Sequence, residues 1–346
     1  MSDINIQALL RGHLRIHTPY ASARDEFRGE ASLYLDANES PFPGDCNRYP
    51  DGRQERLRQV VAGLKGIKPE QCLVTHGSDE AIDLLIRAFC VPGVDHVIIP
   101  QPTYGMYATS ARVNDVEVRA VDMTPSFQLD LAAITRVVTP QSKLLFLCSP
   151  NNPTGDTLNR SAVISLLKSF PGLVIMDEAY LEFSEGRGWV HGLRQHKNLV
   201  VLQTFSKAWG LAGLRAGVCM ANPEVIQSLF RIKPPYNIGA LTERRLIQEI
   251  TRRRNKVKKQ VQLIRQEREK LRAALLRVPS IRKVYPSRAN FLLVQIPQAA
   301  SVYKQLLEKG IVVRLRTGIP HAGDCLRITV GTPRENQKLI TVLRNL

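Results

Sequence analysis

A lysine with hydroxyl neighbours and a following arginine stands out in residues 204–215, TFSKAWGLAGLR. Lys207 comes after the apolar run Leu199–Gln203, which predicts a strand. In open α/β sheets, ligands bind beyond the carboxyl ends of the strands. A lysine there could form a Schiff base with an aldehyde, and Ser206 and Arg215 could hold a phosphate on the same molecule. A surface lysine that happens to follow a strand is the simpler alternative.

An acidic residue ends a second apolar run, Leu173–Met176, and a tyrosine follows three residues later. Asp177 at a strand end could pair with the protonated nitrogen of a pyridine ring, which would keep that ring cationic and able to accept electrons. The phenol of Tyr180 could bond an oxygen on the same ring. An aspartate that caps the next turn has the same pattern, so this stretch alone leaves both interpretations open.

Two further loops follow predicted strands and could complete a binding site. In residues 149–155, SPNNPTG, two prolines and a glycine fix a rigid loop that presents an asparagine side chain. In residues 75–80, THGSDE, a glycine separates a strand from a helix. The backbone N–H groups of Ser78 and Asp79 would then lie at a helix N-terminus, where phosphates bind. An ordinary turn and a plain N-cap are the alternatives for these two loops.

Short apolar runs alternate with amphipathic stretches from about residue 70 to residue 235. This alternation predicts an α/β fold in which a mostly parallel central sheet is sandwiched by helices. The other strands of this sheet are expected at Cys72–Thr75, Val97–Pro100, Val116–Val121, Lys143–Cys148 and Gly217–Met220. Helices between the strands are expected at Glu80–Cys90, Ser161–Phe170 and Glu224–Arg231.

The last third of the chain has a different organisation. Residues 239–277 carry apolar residues at helical spacing and predict one long helix, which ends before Pro279. The chain then alternates again, which predicts a smaller α+β domain. Its strands are expected at Ile281–Tyr285, Phe291–Ile296, Ile311–Leu315 and Leu326–Val330, and its helices at Ser301–Lys309 and Arg334–Leu346. We therefore predict an N-terminal arm (1–35), a large domain (36–240, whose first residues could pack with the small domain), and a connecting helix with the small domain (241–346).

The composition is that of an ordinary globular enzyme except for its charge. The chain has 346 residues and a formal net charge of +17, and residues 241–277 hold 13 Lys and Arg against 4 Asp and Glu. These basic residues mostly avoid the apolar positions of the predicted helix, which favours a solvated helix face over a nucleic-acid site. His13 and His17 stand four residues apart, which would suit a metal on a helix, but no third ligand lies nearby, so no metal is expected. The cysteines form no redox or zinc pattern, and neither a signal peptide nor a membrane-spanning run is recognised, so we expect a cytoplasmic protein.

In this chain order, the stretches described above resemble the fold-type-I pyridoxal-phosphate enzymes of the aspartate aminotransferase superfamily, over nearly the whole chain. Within that superfamily the sequence is most similar to the histidinol-phosphate aminotransferase family. The further stretches that carry this resemblance are 18–20 (TPY), 35–39 (LDANE), 48–51 (RYPD) and 325–332 (CLRITVGT). The chain departs from the family at Val218, where an aromatic residue is common, and this change touches no residue with a chemical role.

The resemblance implies pyridoxal 5'-phosphate as the cofactor and a homodimer as the assembly. It implies that Lys207 forms the Schiff base and moves a proton between substrate and cofactor, and that Asp177 pairs with the ring nitrogen. The other implied cofactor contacts are ring-oxygen bonds from Tyr180 and Asn152, stacking by Tyr104, phosphate contacts from Ser78, Asp79, Thr204, Ser206 and Arg215, and a contact from Tyr49 to the cofactor phosphate of the neighbouring subunit.

The resemblance also implies that Arg327 and Arg314 bind the anionic ends of the substrates, with Tyr20 and Asn38 near them. Each arginine falls in a predicted strand, where a buried and unpaired guanidinium would be costly. A carboxylate or phosphate of a ligand could pair with it, and so could a carboxylate of the protein.

The implied reaction interconverts L-histidinol phosphate and 2-oxoglutarate with imidazole acetol phosphate and L-glutamate, a step of histidine biosynthesis. Two alternatives share the scaffold: an aromatic or broad-range aminotransferase, and a threonine-phosphate decarboxylase. An alternative of another class is a pyridoxal-phosphate-binding regulator that contacts nucleic acid. A helix-turn-helix domain would need about 60–70 residues before residue 30, so we expect no nucleic-acid partner. No apolar run approaches the roughly 18 residues needed to span a bilayer, so we expect no membrane partner.

Overall fold

Seven strands form one twisted sheet that carries most of the predicted functional residues. The computed structural model describes residues 4–18, 22–27, 29 and 31–346. The strands are β1 (Cys72–His76), β2 (His96–Gln101), β3 (Glu117–Asp122), β4 (Ser142–Cys148), β5 (Leu173–Asp177), β6 (Leu199–Thr204) and β7 (Ala216–Ala221). Their order is β1-β7-β6-β5-β4-β2-β3, and β7 alone runs opposite to the other six strands. The predicted mostly parallel sheet is confirmed.

Helices cover both faces of this sheet. The helices of this part of the chain are α1 (Ile6–Leu9), α2 (Gly12–Arg15), α3 (Ala23–Glu26), α4 (Glu55–Lys65), α5 (Gly77–Phe89), α6 (Met106–Val113), α7 (Leu131–Val137), α8 (Arg160–Ser169) and α9 (Pro223–Ile232). Short 3-10 turns lie at Pro69–Gln71, Leu181–Phe183, Val190–Arg194 and Ala212–Leu214. Strand β4 shows why the central strands are apolar throughout. Leu145 belongs to a hydrophobic cluster that includes residues of α4, α7 and α8, whereas Leu144 and Phe146 belong to a second cluster that includes residues of α5, α6 and α9.

A second, antiparallel sheet follows in the chain. It consists of β8 (Lys283–Val284), β9 (Phe291–Gln295), β10 (Arg314–Ile319) and β11 (Gly323–Thr329), in the order β10-β11-β9-β8. Helices α11 (Ala299–Glu308) and α12 (Pro333–Arg344) share a hydrophobic cluster with one face of it. The other face, which includes Phe291 and Leu293, belongs to the same cluster as the large sheet.

One strand of this sheet differs in position from the prediction. The apolar run Ile311–Leu315 suggested a strand there, but β10 begins only at Arg314. Val312 is 79% exposed, so the run precedes the ladder. The paired residues instead alternate Arg314, Leu315 and Arg316, a pattern with little apolar signal.

One helix of 36 residues, α10 (Ala240–Leu275), connects the two sheets and confirms the long helix predicted for 239–277. Its first half contributes Leu246, Ile250 and Val257 to the cluster of the large sheet, and its second half contributes Leu271 to that of the small sheet. The basic run around residues 252–259 is mostly exposed to solvent. The boundary near residue 240 stays a prediction.

Within the described residues, no helix combines the length and the apolar character needed to cross a membrane.

Candidate active site

Three neighbouring strands of the large sheet, β4, β5 and β6, end at one pocket, which we call the Lys207 pocket. This is the edge of an open α/β sheet where ligands bind. The structure brings together ten of the residues predicted from the sequence. They are Ser78, Asp79, Tyr104, Asn152, Asp177, Tyr180, Thr204, Ser206, Lys207 and Arg215.

Asp177 lies at the end of β5 and is almost completely buried. The backbone N–H of Ala179 donates to its Oδ1 at 2.9 Å, and the Tyr107 hydroxyl donates to its Oδ2 at 2.6 Å. Burial raises the pKa of Asp177, and the bond from Tyr107 opposes that rise. A carboxylate buried in this way is stabilised by a cation, so the site fits a protonated ring nitrogen.

Tyr107 is one site residue that sequence analysis missed. It lies on α6, is fully buried, and its ring stacks on Phe146 with centroids 4.9 Å apart. Its position on the buried face of an amphipathic helix gives no sign of a polar role. Only the structure shows that its hydroxyl reaches Asp177.

Lys207 follows β6, and its Nζ lies 5.8 Å from the centroid of the Tyr180 ring. Burial lowers the pKa of Lys207, and the positive charge of Arg327 lowers that pKa further. A larger fraction of this amine is therefore neutral at neutral pH than for an ordinary lysine. A neutral amine is the form that attacks an aldehyde and accepts a proton.

A helix start and a guanidinium form an anion cradle at one side of the pocket. Gly77 begins α5 with a positive φ of 74°, and its N–H donates to the carbonyl of Arg215 at 2.7 Å. A Cβ on Gly77 would lie 2.8 Å from Nη2 of Arg215, so only glycine lets the guanidinium lie against the helix N-terminus. Arg215 also lies 3.6 Å from Asp79, whose Oδ1 accepts a bond from Tyr104. Free backbone N–H groups beside a guanidinium fit a phosphate.

Gly217, on β7, packs against the backbone of this cradle. A Cβ there would lie 2.5 Å from the carbonyl carbon of Gly77 and from the backbone nitrogen of Ser78. Backbone atoms cannot yield as a flexible side chain can, so the turn that begins α5 would have to move.

We therefore expect Gly217→Ala to reduce the free energy of unfolding by about 1–3 kcal/mol and to weaken cofactor binding. Thermal unfolding and a cofactor titration would measure the two effects. Gly213→Ala is the matched control, because a Cβ there meets nothing within 4 Å. Equal stability and equal cofactor affinity in Gly217→Ala and Gly213→Ala would contradict the close approach of Gly217 to the backbone of Gly77 and Ser78.

The loop at 149–155 presents Asn152 to the pocket and uses Asn151 to hold its own shape. The Asn151 side chain donates to the carbonyl of Pro102 at 2.8 Å and accepts from the Thr103 hydroxyl at 2.7 Å. Asn152 instead accepts a bond at Oδ1 from Nη1 of Arg327 at 2.5 Å. Its amide nitrogen remains available to a ligand in the pocket.

Arg327 reaches the pocket from β11 of the small sheet. Its guanidinium lies 5.4 Å from the ring centroid of Phe291, and burial lowers its pKa. No described carboxylate forms an ion pair with it, so the protein carboxylate considered as a partner is not found among the described residues. Arg314 lies directly opposite Arg327 in the ladder and is exposed.

Two further predicted residues, Tyr49 and Asn38, do not line the Lys207 pocket of the same chain. Tyr49 is 51% exposed, and its ring stacks on Tyr236 with centroids 4.5 Å apart. Asn38 is exposed in the same region. Tyr20 lies outside the described residues.

Glu39 organises the segment that carries Tyr49. It accepts hydrogen bonds from Arg24, from Arg48 and from the backbone N–H of Tyr49, and the bond from Arg24 is the largest cause that lowers its pKa to about 2. This network joins α3 to the segment before α4. Among the described residues, no group of three His, Cys, Asp or Glu side chains is arranged to hold a metal ion.

The fold and this constellation of lysine, aspartate and arginine define a class of protein. The family model for aminotransferase class I and II matches residues 37–343, and the chain belongs to that family. Two similar proteins carry a more specific name, histidinol-phosphate aminotransferase. The one from Flavobacterium psychrophilum is 44% identical over 100% of both chains, and the one from Parabacteroides distasonis is 45% identical over 99% of both.

A solved structure supports the same fold. The crystal structure of the histidinol-phosphate aminotransferase from Clostridium acetobutylicum superimposes with a TM-score of 0.79 at 23% sequence identity. The match covers 86% of this chain and 90% of that one. At this identity the likeness concerns the fold.

Proposed function

We propose that the chain is a pyridoxal-phosphate-dependent transaminase that exchanges an amino group between L-histidinol phosphate and 2-oxoglutarate, in histidine biosynthesis. The products are imidazole acetol phosphate and L-glutamate. The observation that carries the proposal is the joint placement of Lys207, Asp177 and Arg215 in one pocket. The full-length relatives named for this activity support the choice of substrate.

Pyridoxal phosphate supplies an aldehyde that carries the amino group and a ring that accepts electrons from the substrate. The residues of the pocket fit its three chemical parts. Asp177 would pair with the ring nitrogen, Asn152 and Tyr180 would bond the ring oxygen, and Tyr104 would stack on the ring. Ser78, Asp79, Thr204, Ser206 and Arg215 would surround the phosphate, where the missing side chain of Gly77 leaves room for the guanidinium.

The amine of Lys207 would hold the cofactor before substrate arrives and then act as the base. Once released, this amine would be the group that accepts the proton from the substrate Cα and passes it to the cofactor. Its lowered pKa suits both tasks, since each needs the neutral amine at some stage. Asp177, which the Tyr107 hydroxyl and the backbone N–H of Ala179 hold in place, would keep the ring nitrogen protonated.

The two substrates present different anions to one site. Histidinol phosphate carries a phosphate, whereas 2-oxoglutarate carries two carboxylates. Guanidinium groups bind either anion with two parallel hydrogen bonds. Arg327 and Arg314, directly opposite each other on the small sheet, would supply them.

We expect Arg327→Ala to raise KM for both substrates by about 10–100-fold, because a charge-assisted pair is lost. Cofactor affinity should change far less, because Arg327 donates to Asn152 and acts on Lys207 only through its charge, and neither role would hold the cofactor directly. Steady-state kinetics and a cofactor titration would separate the two. The exposed Arg282→Ala serves as the control, and unchanged KM values would remove Arg327 from the site.

We propose a homodimer in which Tyr49 reaches the cofactor phosphate of the neighbouring subunit. The supporting observation is a cluster of large exposed apolar side chains in the segment before α4: Leu33 is 68% exposed, Leu35 82% and Phe42 77%. Exposed apolar patches of this kind mark interaction surfaces. We also propose a cytoplasmic location, with five of the six free cysteines buried in the chain.

The test of the function is the near-visible absorbance of the purified protein before and after L-histidinol phosphate is added alone. The expected result is a cofactor band that bleaches, followed by recovery and release of glutamate when 2-oxoglutarate is supplied. A band that ignores histidinol phosphate but responds to aromatic amino acids or threonine phosphate would overturn the substrate. Release of carbon dioxide in place of glutamate would identify a decarboxylase.

A further inference from the structure

Three arginines share one face of the small sheet beside the Lys207 pocket. Arg314 and Arg327 are directly opposite each other in the β10–β11 ladder. Arg316 lies two residues further along β10, opposite Cys325. Residues two apart on a strand point to the same face, and so do directly opposed residues of paired strands. Arg316 therefore lies on the face from which Arg327 reaches Asn152.

Arg316 has no partner for its buried guanidinium nitrogen among the described residues. The side chain is half-buried, and its Nε is inaccessible to solvent and makes no hydrogen bond. Burial lowers the pKa of Arg316, and the charges of Arg327 and Arg314 lower it further. Neighbouring like charges with an unpaired buried donor are unfavourable unless an anion joins them.

The Lys207 pocket lies close to these three arginines. Arg327, which lies on the same face as Arg316, donates a hydrogen bond to Asn152, and Asn152 lines the Lys207 pocket. No described carboxylate forms an ion pair with Arg314, Arg316 or Arg327. An anion that pairs with these three arginines must therefore come from outside the described residues.

We propose that Arg316 is a third guanidinium of the substrate-anion site and makes that site select a phosphate over a carboxylate. This inference deepens the proposed function and rests on its phosphorylated donor. A carboxylate has two oxygens and one charge, which a single guanidinium satisfies. A phosphate monoester has three oxygens and a charge of about −1.5 to −2 at neutral pH. Arg327 alone suits the first anion, whereas three guanidinium groups suit the second.

The first test measures binding without turnover. Inorganic phosphate is titrated into the holoenzyme by calorimetry, for the wild type, Arg316→Gln and Arg272→Gln. Arg272 is the matched control, because it is also half-buried with an unpaired Nε but lies on α10. We expect Arg316→Gln to weaken phosphate binding about tenfold or more, as loss of a charge-assisted bond does. Equal phosphate affinity in all three proteins would overturn the inference.

The second test measures selectivity. In Arg316→Gln, KM for histidinol phosphate should rise about tenfold, with a much smaller rise for 2-oxoglutarate and an unchanged kcat. Arg316→Lys keeps the charge but loses the planar guanidinium, so its KM for histidinol phosphate should lie between the values of the wild type and of Arg316→Gln. Such an intermediate value would show that the effect does not come from a folding defect. Equal rises of both KM values would show an unselective role and overturn the proposal. An enzyme that ignores histidinol phosphate but loses phosphate affinity in Arg316→Gln would defeat the proposed function while leaving this anion site standing.

Discussion

Lys207→Ala is expected to reduce kcat by on the order of 10⁴-fold, because the site loses both the amine that holds the cofactor and the base that moves the proton. The pocket should still bind pyridoxal phosphate non-covalently, since the cradle of Gly77, Ser206 and Arg215 is untouched. Single-turnover assays with L-histidinol phosphate would measure the chemical step, and equilibrium dialysis would measure the retained cofactor.

A matched control exists for this variant. Lys168 is an exposed lysine on α8, so Lys168→Ala should keep full turnover. The circular dichroism spectra of both variants should match that of the wild type. Full turnover in Lys207→Ala would show that the mechanism proposed for this pocket is wrong.

Asp177→Asn should reduce kcat by about 10²–10³-fold, since a fixed charge aimed at the reacting ring is removed. The amide keeps the shape of the carboxylate and its single oxygen can still accept the bond from Tyr107, but its nitrogen would then face the backbone N–H of Ala179 and lose that bond. Burial of the carboxylate is unfavourable, which offsets the lost bond, so we expect a change in the free energy of unfolding of no more than about 1–2 kcal/mol.

The control for Asp177→Asn is Asp122→Asn, which changes an exposed aspartate at the end of β3. Steady-state kinetics and thermal unfolding of both variants would separate a catalytic effect from a structural one. A parallel loss of stability and activity in Asp177→Asn would argue against an electrostatic role.

Much of the site was predictable because its residues follow strands that are apolar on both faces. Such strands, like β5 and β6, are visible as short apolar runs, and a polar residue directly after one stands out. The carboxyl ends of neighbouring parallel strands meet at one edge, so Asp177, Lys207 and Asn152 could be expected to meet there. Their roles stay predictions until the variants are measured.

Tyr107 and Arg316 could not be found in this way. Tyr107 occupies a buried helical position that any large apolar residue could fill. The hydrogen bond from its hydroxyl to Asp177 is visible only in the folded structure. Arg316 was missed because the strand predicted from the apolar run Ile311–Leu315 ended one residue before it. An edge strand that exposes much of its surface has too weak an alternation to correct that boundary.

The long helix α10 and the shared hydrophobic cluster have a consequence for synthesis of the chain. The cluster that supports Met176 on β5 and Phe205 beside Lys207 also contains Val261 of α10 and Phe291 and Cys325 of the small sheet. A chain emerging from the ribosome therefore makes the strands of the large sheet well before the residues that complete their core. Contacts this distant in sequence are slow to form, and the incomplete core exposes apolar surface meanwhile. The reactive pocket would be among the last parts of a newly made molecule to become ordered.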